Sequence, residues 1–309
     1  MTYLKIIWIV VLTIFFIEVI WLSFSSISIN YSLDIIYIFF ITIFILYSSY
    51  ILLKRFHFER VNAILLSLCW ILAFNNCGLI LSYLLNTINR PLISSSLADI
   101  DHYLGFYAPA LVHWFWNHHG LDIIFRYIYA SLTSQQFFIL FYLGGLGKVN
   151  YLESYIMQYM IAGVLTAVIG GLFPAVGTHE WYGFAASPGQ LSDLERLYEL
   201  RQNIVALGKF NGIVEFPSFH TTAGVLLIYA FRHESKFIFI PILILNILMI
   251  FSCMSHGGHF LIDIIGGIAV AAIAIGFERT IFKKIHSFSF KSKKNMKEKT
   301  PPITDFAKR

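Results

Sequence analysis

Long apolar runs separated by short polar breaks dominate the chain. A membrane span needs about 20 mostly apolar residues to cross a hydrocarbon core of about 30 Å. Eight stretches fit that length, roughly 3–25, 34–53, 61–86, 124–146, 152–175, 218–231, 237–254 and 260–282, the sixth being the shortest. The run after Lys5 continues to about Phe24 without a small-residue cleavage site, so it reads as an uncleaved span rather than a signal sequence. Between the third and fourth runs lies DHYLGFYAPALVHWFWNHHG, Asp101 to Gly120. It is aromatic-rich and interrupted by Pro109, which predicts a helix over about 101–119 lying at the membrane interface. Residues 176–216 form the longest polar loop. The pattern divides the chain into a two-helix extension (1–58), a six-helix domain (59–282) and a basic tail (283–309) expected to be disordered.

Composition sharpens this into a polytopic, all-α membrane protein of about eight transmembrane helices. The 309 residues are 58% hydrophobic and 13% charged, with 30 Phe, 17 Tyr and 6 Trp, and the mean hydropathy is +0.72. Soluble domains carry about twice that charge. The net charge of +5 points to no nucleic-acid partner, because ten of the 22 Lys and Arg lie in the last 31 positions, as a tail against anionic lipid. With the N-terminus inside, 17 basic residues fall on the cytoplasmic side and five outside: Arg90, Arg126, Arg196, Arg201 and Lys209. The positive-inside rule therefore places both termini in the cytoplasm and the long loop outside. Such short loops suggest a bacterial inner membrane. The three cysteines, Cys69, Cys77 and Cys253, have no metal-ligand spacing and read as small core hydrophobes.

Two motifs then share the outer face. In FPSFHTTAG, Pro217 is expected in the first helical turn, which would put Ser218 and His220 at a helix mouth that attracts anions. In SHGGHFLIDIIGG, two glycines break the chain before His259, and Asp263 lies one turn on, on the same face. A carboxylate there accepts from one imidazole nitrogen and leaves the other free as a base or nucleophile. Arg201 and Lys209 are the loop cations best placed to neutralise a phosphate, although a solvated loop charge accounts for Arg201 as well and for Lys209 better. The His113, His118 and His119 cluster reads as ordinary interfacial histidine. A zinc site at His256 and His259 would need a third protein ligand, and no residue clearly supplies one; neither metal nor cofactor is called for. The structural alternative for His259 and Asp263, a buried pair tying two helices, loses weight beside the second histidine motif.

Together, in this order and on one side, the two motifs resemble the type 2 phosphatidic acid phosphatase superfamily. FPSFHT followed by GGHFLIDIIGG is closest to the branch of aureobasidin-sensitive inositol phosphorylceramide synthases and their bacterial relatives. The resemblance covers roughly 60–282 and implies a phosphatase-like catalytic bundle made of the last six helices. It also implies that His259 attacks phosphorus, Asp263 orients it, His220 protonates the leaving oxygen and Ser218 contacts phosphate. Two departures stand out. The family's third motif has Ser-Arg seven and six residues before its histidine, where this chain has Ser252 and Cys253, and the Lys and Arg-Pro of the first motif are absent. Arg201, then Lys209, is the expected substitute. The implied activity is hydrolysis of a lipid phosphomonoester at the outer leaflet through a phosphohistidine. The alternatives are transfer of a phospho-headgroup to a lipid hydroxyl, a metal-dependent hydrolase and, more distantly, a transporter with a His/Asp proton relay.

Overall fold

The computed structural model describes residues 2–31, 41, 44–48, 50–56, 58–207 and 212–299. The order of elements is α1 (Thr2–Phe24), β1 (Ser28–Tyr31), a π-helical turn (Leu52–Phe56), α2 (Glu59–Asn86), α3 (Ser94–Tyr103), α4 (Ala108–Trp116), α5 (His119–Ala130), α6 (Leu132–Gly145), α7 (Val149–Leu172), α8 (Thr178–Tyr182), α9 (Pro188–Arg201), β2 (Ile204–Leu207), α10 (Phe219–Phe231), α11 (Lys236–Ser255) and α12 (Leu261–Lys299). The fold is all-α, as expected, apart from the two short strands. Among the described residues, five helices are long and apolar enough to cross a bilayer: α1, α2, α7, α11 and the Leu261–Thr280 part of α12. The 13-residue α10 is a shorter apolar helix.

The other expected spans turn out differently. The run over 124–146 is two helices, α5 and α6, meeting at Ser131. Ser131 keeps helical dihedrals (φ −71, ψ −13) and its hydroxyl donates back to the Ile128 carbonyl at 2.6 Å, so the junction is a local defect in a nearly continuous path. Half of the second expected span, 34–53, lies outside the described residues, and the described part, 41, 44–48 and 50–53, is helical. The single interfacial helix expected over 101–119 is corrected to the end of α3, a break at Gly105 (φ 75), then α4 and the start of α5. Gly105 takes the left-handed conformation that ends α3, and Pro109 sits in the first turn of α4, where a missing N–H costs nothing. The last helix continues to Lys299, well past the 283 boundary where the basic tail was expected to begin.

Helix α7 is the centre of the bundle: it packs against α2, α10 and α12, and its span is the most buried of the five. Its apolar side joins the main core through Tyr155, Ile156, Met160 and Ala162. A polar bolt crosses this core, where Glu278 of α12 accepts from Ser154 (2.9 Å) and Gln158 (3.2 Å) of α7. Both carboxylate oxygens of Glu278 are thereby satisfied, although the Gln158 Oε1 is left buried without a partner. Lys148 and Glu234 tie the α6–α7 and α10–α11 connections together. At the opposite end, β1 pairs in parallel with β2, Ser28 facing Ile204 and Tyr31 facing Leu207, which joins the segment after α1 to the long loop.

Candidate active site

The two histidine motifs converge where α10 meets the start of α12. Ser218 caps α10, its Oγ accepting from the Thr221 N–H at 3.4 Å, so Pro217 lies just before the cap rather than in the first turn. That corrects the expected register by two residues. The Ser218 N–H donates to the Asp263 carbonyl at 3.1 Å, and the Thr222 hydroxyl donates to the Gly267 carbonyl at 3.0 Å. Gly267 permits this closeness, because a Cβ there would fall 2.5 Å from the Ser218 carbonyl oxygen. The two motifs are thus bonded backbone to backbone.

His259 is held from several directions. Gly258 takes a φ of 77, and a side chain on it would crowd both Gln190 and His179. The Asp263 carboxylate lies 3.3 Å from Nδ1 of His259 through Oδ2, which also accepts the Phe260 N–H at 2.9 Å. Glu215 brings a second carboxyl to the same nitrogen, at 3.4 Å. Burial works against the charged imidazole, but the hydrogen bond to Asp263 and the proximity of Glu215 prevail and raise its pKa above the ordinary value. Burial also pushes the Glu215 carboxyl up to about 8, Asp263 and Asp193 adding to the rise and His259 opposing it. Asp193 is raised to about 6 by burial.

His220 projects from the first turn of α10 and stacks on Tyr129 of α5, with ring centroids 4.3 Å apart and planes at 17°. His220 and His259 line one cavity of about 540 Å³, bounded by α2, α5, α6, α7 and the 212–215 segment. Its wall carries Glu215 and Asp193 as acids and Asn75, Gln136 and Tyr159 as neutral hydrogen-bonding groups; among the described residues no Lys or Arg lines it.

The structure therefore brings His259, Asp263 and His220 together and leaves the expected phosphate ligands apart. Ser218 is fully buried, its Oγ turned to Thr221, and it is absent from the cavity wall. Arg201 donates to the Arg90 carbonyl at 2.9 Å and is likewise absent from the wall. Lys209 lies outside the described residues. Cys253, in place of the family's arginine, is buried against the Met249 carbonyl. The His113, His118 and His119 cluster stays off the cavity, with His118 bonded to the Trp114 carbonyl at 2.7 Å.

Three contributors escaped sequence reasoning. Glu215, directly before FPSFH, had a local signal in its place beside the motif. It is also the third candidate ligand that a metal at His259 would need: Glu215, His259 and Asp263 place ligand atoms within 4.8 Å of one another and could hold a divalent cation. Asp101 accepts from the Leu261 (2.7 Å) and Ile262 (2.9 Å) N–H groups and so caps α12 from 160 residues away. Asp122 of α5 meets His256 at 3.1 Å and Arg126 at 2.8 Å.

The sequence profile of the PAP2 superfamily matches residues 95–277, more than half of the chain and inclusive of all three catalytic candidates. The chain belongs to the PAP2 superfamily. No curated protein and no solved structure gives a significant match. Membership makes this an integral membrane enzyme of the phosphatase and phosphotransferase type, with a lipid phosphate as the natural class of substrate.

Proposed function

We propose that this PAP2 protein hydrolyses the phosphomonoester of a lipid at the outer leaflet through a phosphohistidine on His259. The observation that carries the reading is that His259 and His220 share the wall of one cavity while Asp263 sits on Nδ1 of His259. With Nδ1–H held by Asp263, the Nε2 lone pair attacks phosphorus. An N–P bond forms, the P–O bond to the lipid breaks, and His220 gives its proton to the departing alkoxide. Water then enters, His220 takes its proton, and the new P–O bond releases phosphate and restores His259. The Asp263 carboxylate stabilises the cationic imidazole throughout.

A second reading rests on the size and lining of the cavity. At about 540 Å³, with Asn75, Gln136 and Tyr159 on its wall, it holds more than a phosphate and a water. A hydroxylated acceptor bound there would resolve the phosphoenzyme by transfer instead of hydrolysis, as the inositol phosphorylceramide synthase-like resemblance implies. Incubating purified protein with a panel of labelled lipid phosphates, with and without hydroxyl acceptors, separates the readings: free phosphate marks hydrolysis, and a new phospholipid appearing only with acceptor marks transfer. Failure of every lipid phosphate to react rules out both.

The outer-leaflet assignment rests on the basic residues. Both termini lie in the cytoplasm under this reading, and the β1–β2 pairing is consistent with it, since the end of α1 and the long loop meet on the side that holds the site.

A further inference from the structure

The cavity presents a charge problem. Asp193 lines it, Asp263 stands behind His259, Glu215 adds a further negative charge once it ionises, and among the described residues no Lys or Arg joins them. A phosphate dianion entering such a wall needs a cation close by. Of the outer-side cations, Arg201 donates to the Arg90 carbonyl from α9, which contributes Asp193 but no cation to the cavity wall, and Arg196 is buried and bonded to Glu199 at 2.6 Å. Arg126 is placed differently.

Thr133 lines the cavity, and Arg126 precedes it by seven residues along the nearly continuous α5–α6 path. Seven residues are two turns, so the two positions fall on one line of the helix about 10 Å apart, within range of a long side chain. Tyr129, between them, lines the cavity, stacks on His220, and would touch any Cβ placed on Gly257. Arg126 is therefore the next turn beyond the residue that contacts both histidine motifs, on the side of the cavity where α5 begins. Its Nη2 donates to Asp122 at 2.8 Å, and Asp122 also meets His256, three residues before His259. The side chain is nevertheless 64% exposed. Asp122 engages Nη2, and the rest of this exposed five-donor guanidinium is accessible for a bidentate phosphate contact.

We propose that Arg126, steadied by Asp122, captures the substrate phosphate at the cavity mouth and supplies the positive charge that Cys253 cannot. The inference rests on the lipid-phosphate reading above and names a binding residue for that same site. The test uses the full-length protein in detergent, phosphatidic acid in mixed micelles as substrate and inorganic phosphate as product inhibitor. Arg126→Ala is expected to raise both the KM and the phosphate inhibition constant by about ten- to hundredfold, the effect of losing a charge-assisted hydrogen bond. Its kcat stays within about threefold, Arg126→Lys recovers part of the loss, and Arg201→Ala leaves both constants unchanged. If Arg126→Ala does not fold, Arg126→Gln, which keeps the length without the charge, takes its place. Constants within twofold of wild type in the uncharged variant overturn the proposal, as does a larger loss from Arg201→Ala. Should wild-type protein act on no lipid phosphate, the functional reading falls and takes this inference with it; should wild type act, His259→Ala not, and Arg126→Ala normally, only the assignment of Arg126 fails.

Discussion

At the scale of single residues, the second carboxyl on His259 shapes the pH response. In the proposed mechanism His259 attacks only when Nε2 carries no proton, and its pKa lies above the ordinary value, so kcat/KM should rise as pH climbs through that raised pKa. Glu215 stays protonated up to about pH 8; above that it ionises and places a negative charge beside the incoming phosphate. The activity should therefore fall on the alkaline side near pH 8. Replacing Glu215 by Gln removes this ionisation and should move the alkaline limb away from pH 8, leaving only the loss that follows deprotonation of His220, with the acid limb in place. A Gln variant whose alkaline limb coincides with that of wild type would contradict the role given to Glu215. Asp263→Asn is expected to lose activity altogether, because an amide neither holds the imidazole in its working orientation nor stabilises its cation. The meeting of His259 and Asp263 was legible in their spacing, but His259 lies in the non-helical stretch two residues before α12 rather than on its first turn, and the carboxylate of Asp263 reaches back to it past the Phe260 N–H. The places of Ser218 and Arg201 were not legible, because Ser218 turns to Thr221 within its own helix turn and Arg201 reaches the Arg90 carbonyl across 111 residues, a contact that no local spacing encodes.

At the scale of elements, the start of α12 is the critical joint. Asp101 of α3 receives two of its first N–H groups, which would otherwise be left unsatisfied in the interior. Asp101→Ala should cost about 1–2 kcal/mol of stability and lower the melting temperature in detergent by several degrees; an unchanged melting curve would show that α12 is capped by other means. Gly267 matters in a different way. Its hydrogen is all that fits between α12 and the start of α10, so Gly267→Val should separate the two motifs and abolish activity even in whatever protein still inserts. Hydropathy reveals α1, α2, α7, α11 and α12 because each is a long apolar run. It does not reveal the α5–α6 junction, since Ser131 interrupts the hydrogen-bond pattern without interrupting the apolar composition. Nor could it show that Asp101 belongs under α12, because that pairing spans 160 residues of sequence.

At the scale of the molecule, the account places the site, the long loop and the β1–β2 pairing on the exterior side of the membrane. Seventeen of 22 basic residues then face inward. The exposed Gly189 on α9 offers a direct check, because all three natural cysteines are buried. In intact cells Gly189→Cys should react with a membrane-impermeant thiol reagent; reaction only after lysis would reverse the orientation and the leaflet. The central claim, however, is that phosphorus passes through His259. Its most direct measurement is rapid-quench trapping of the enzyme during turnover of a phosphorus-labelled lipid phosphate, in the presence of excess chelator. Label on His259 that survives base and is lost in acid is expected, with turnover unaffected by the chelator, no label in His259→Ala, and label both formed and lost more slowly in His220→Ala, which lacks the acid of the first step and the base of the second. Turnover stopped by the chelator, with no label on His259, would contradict it and would assign Glu215, His259 and Asp263 to a divalent cation instead.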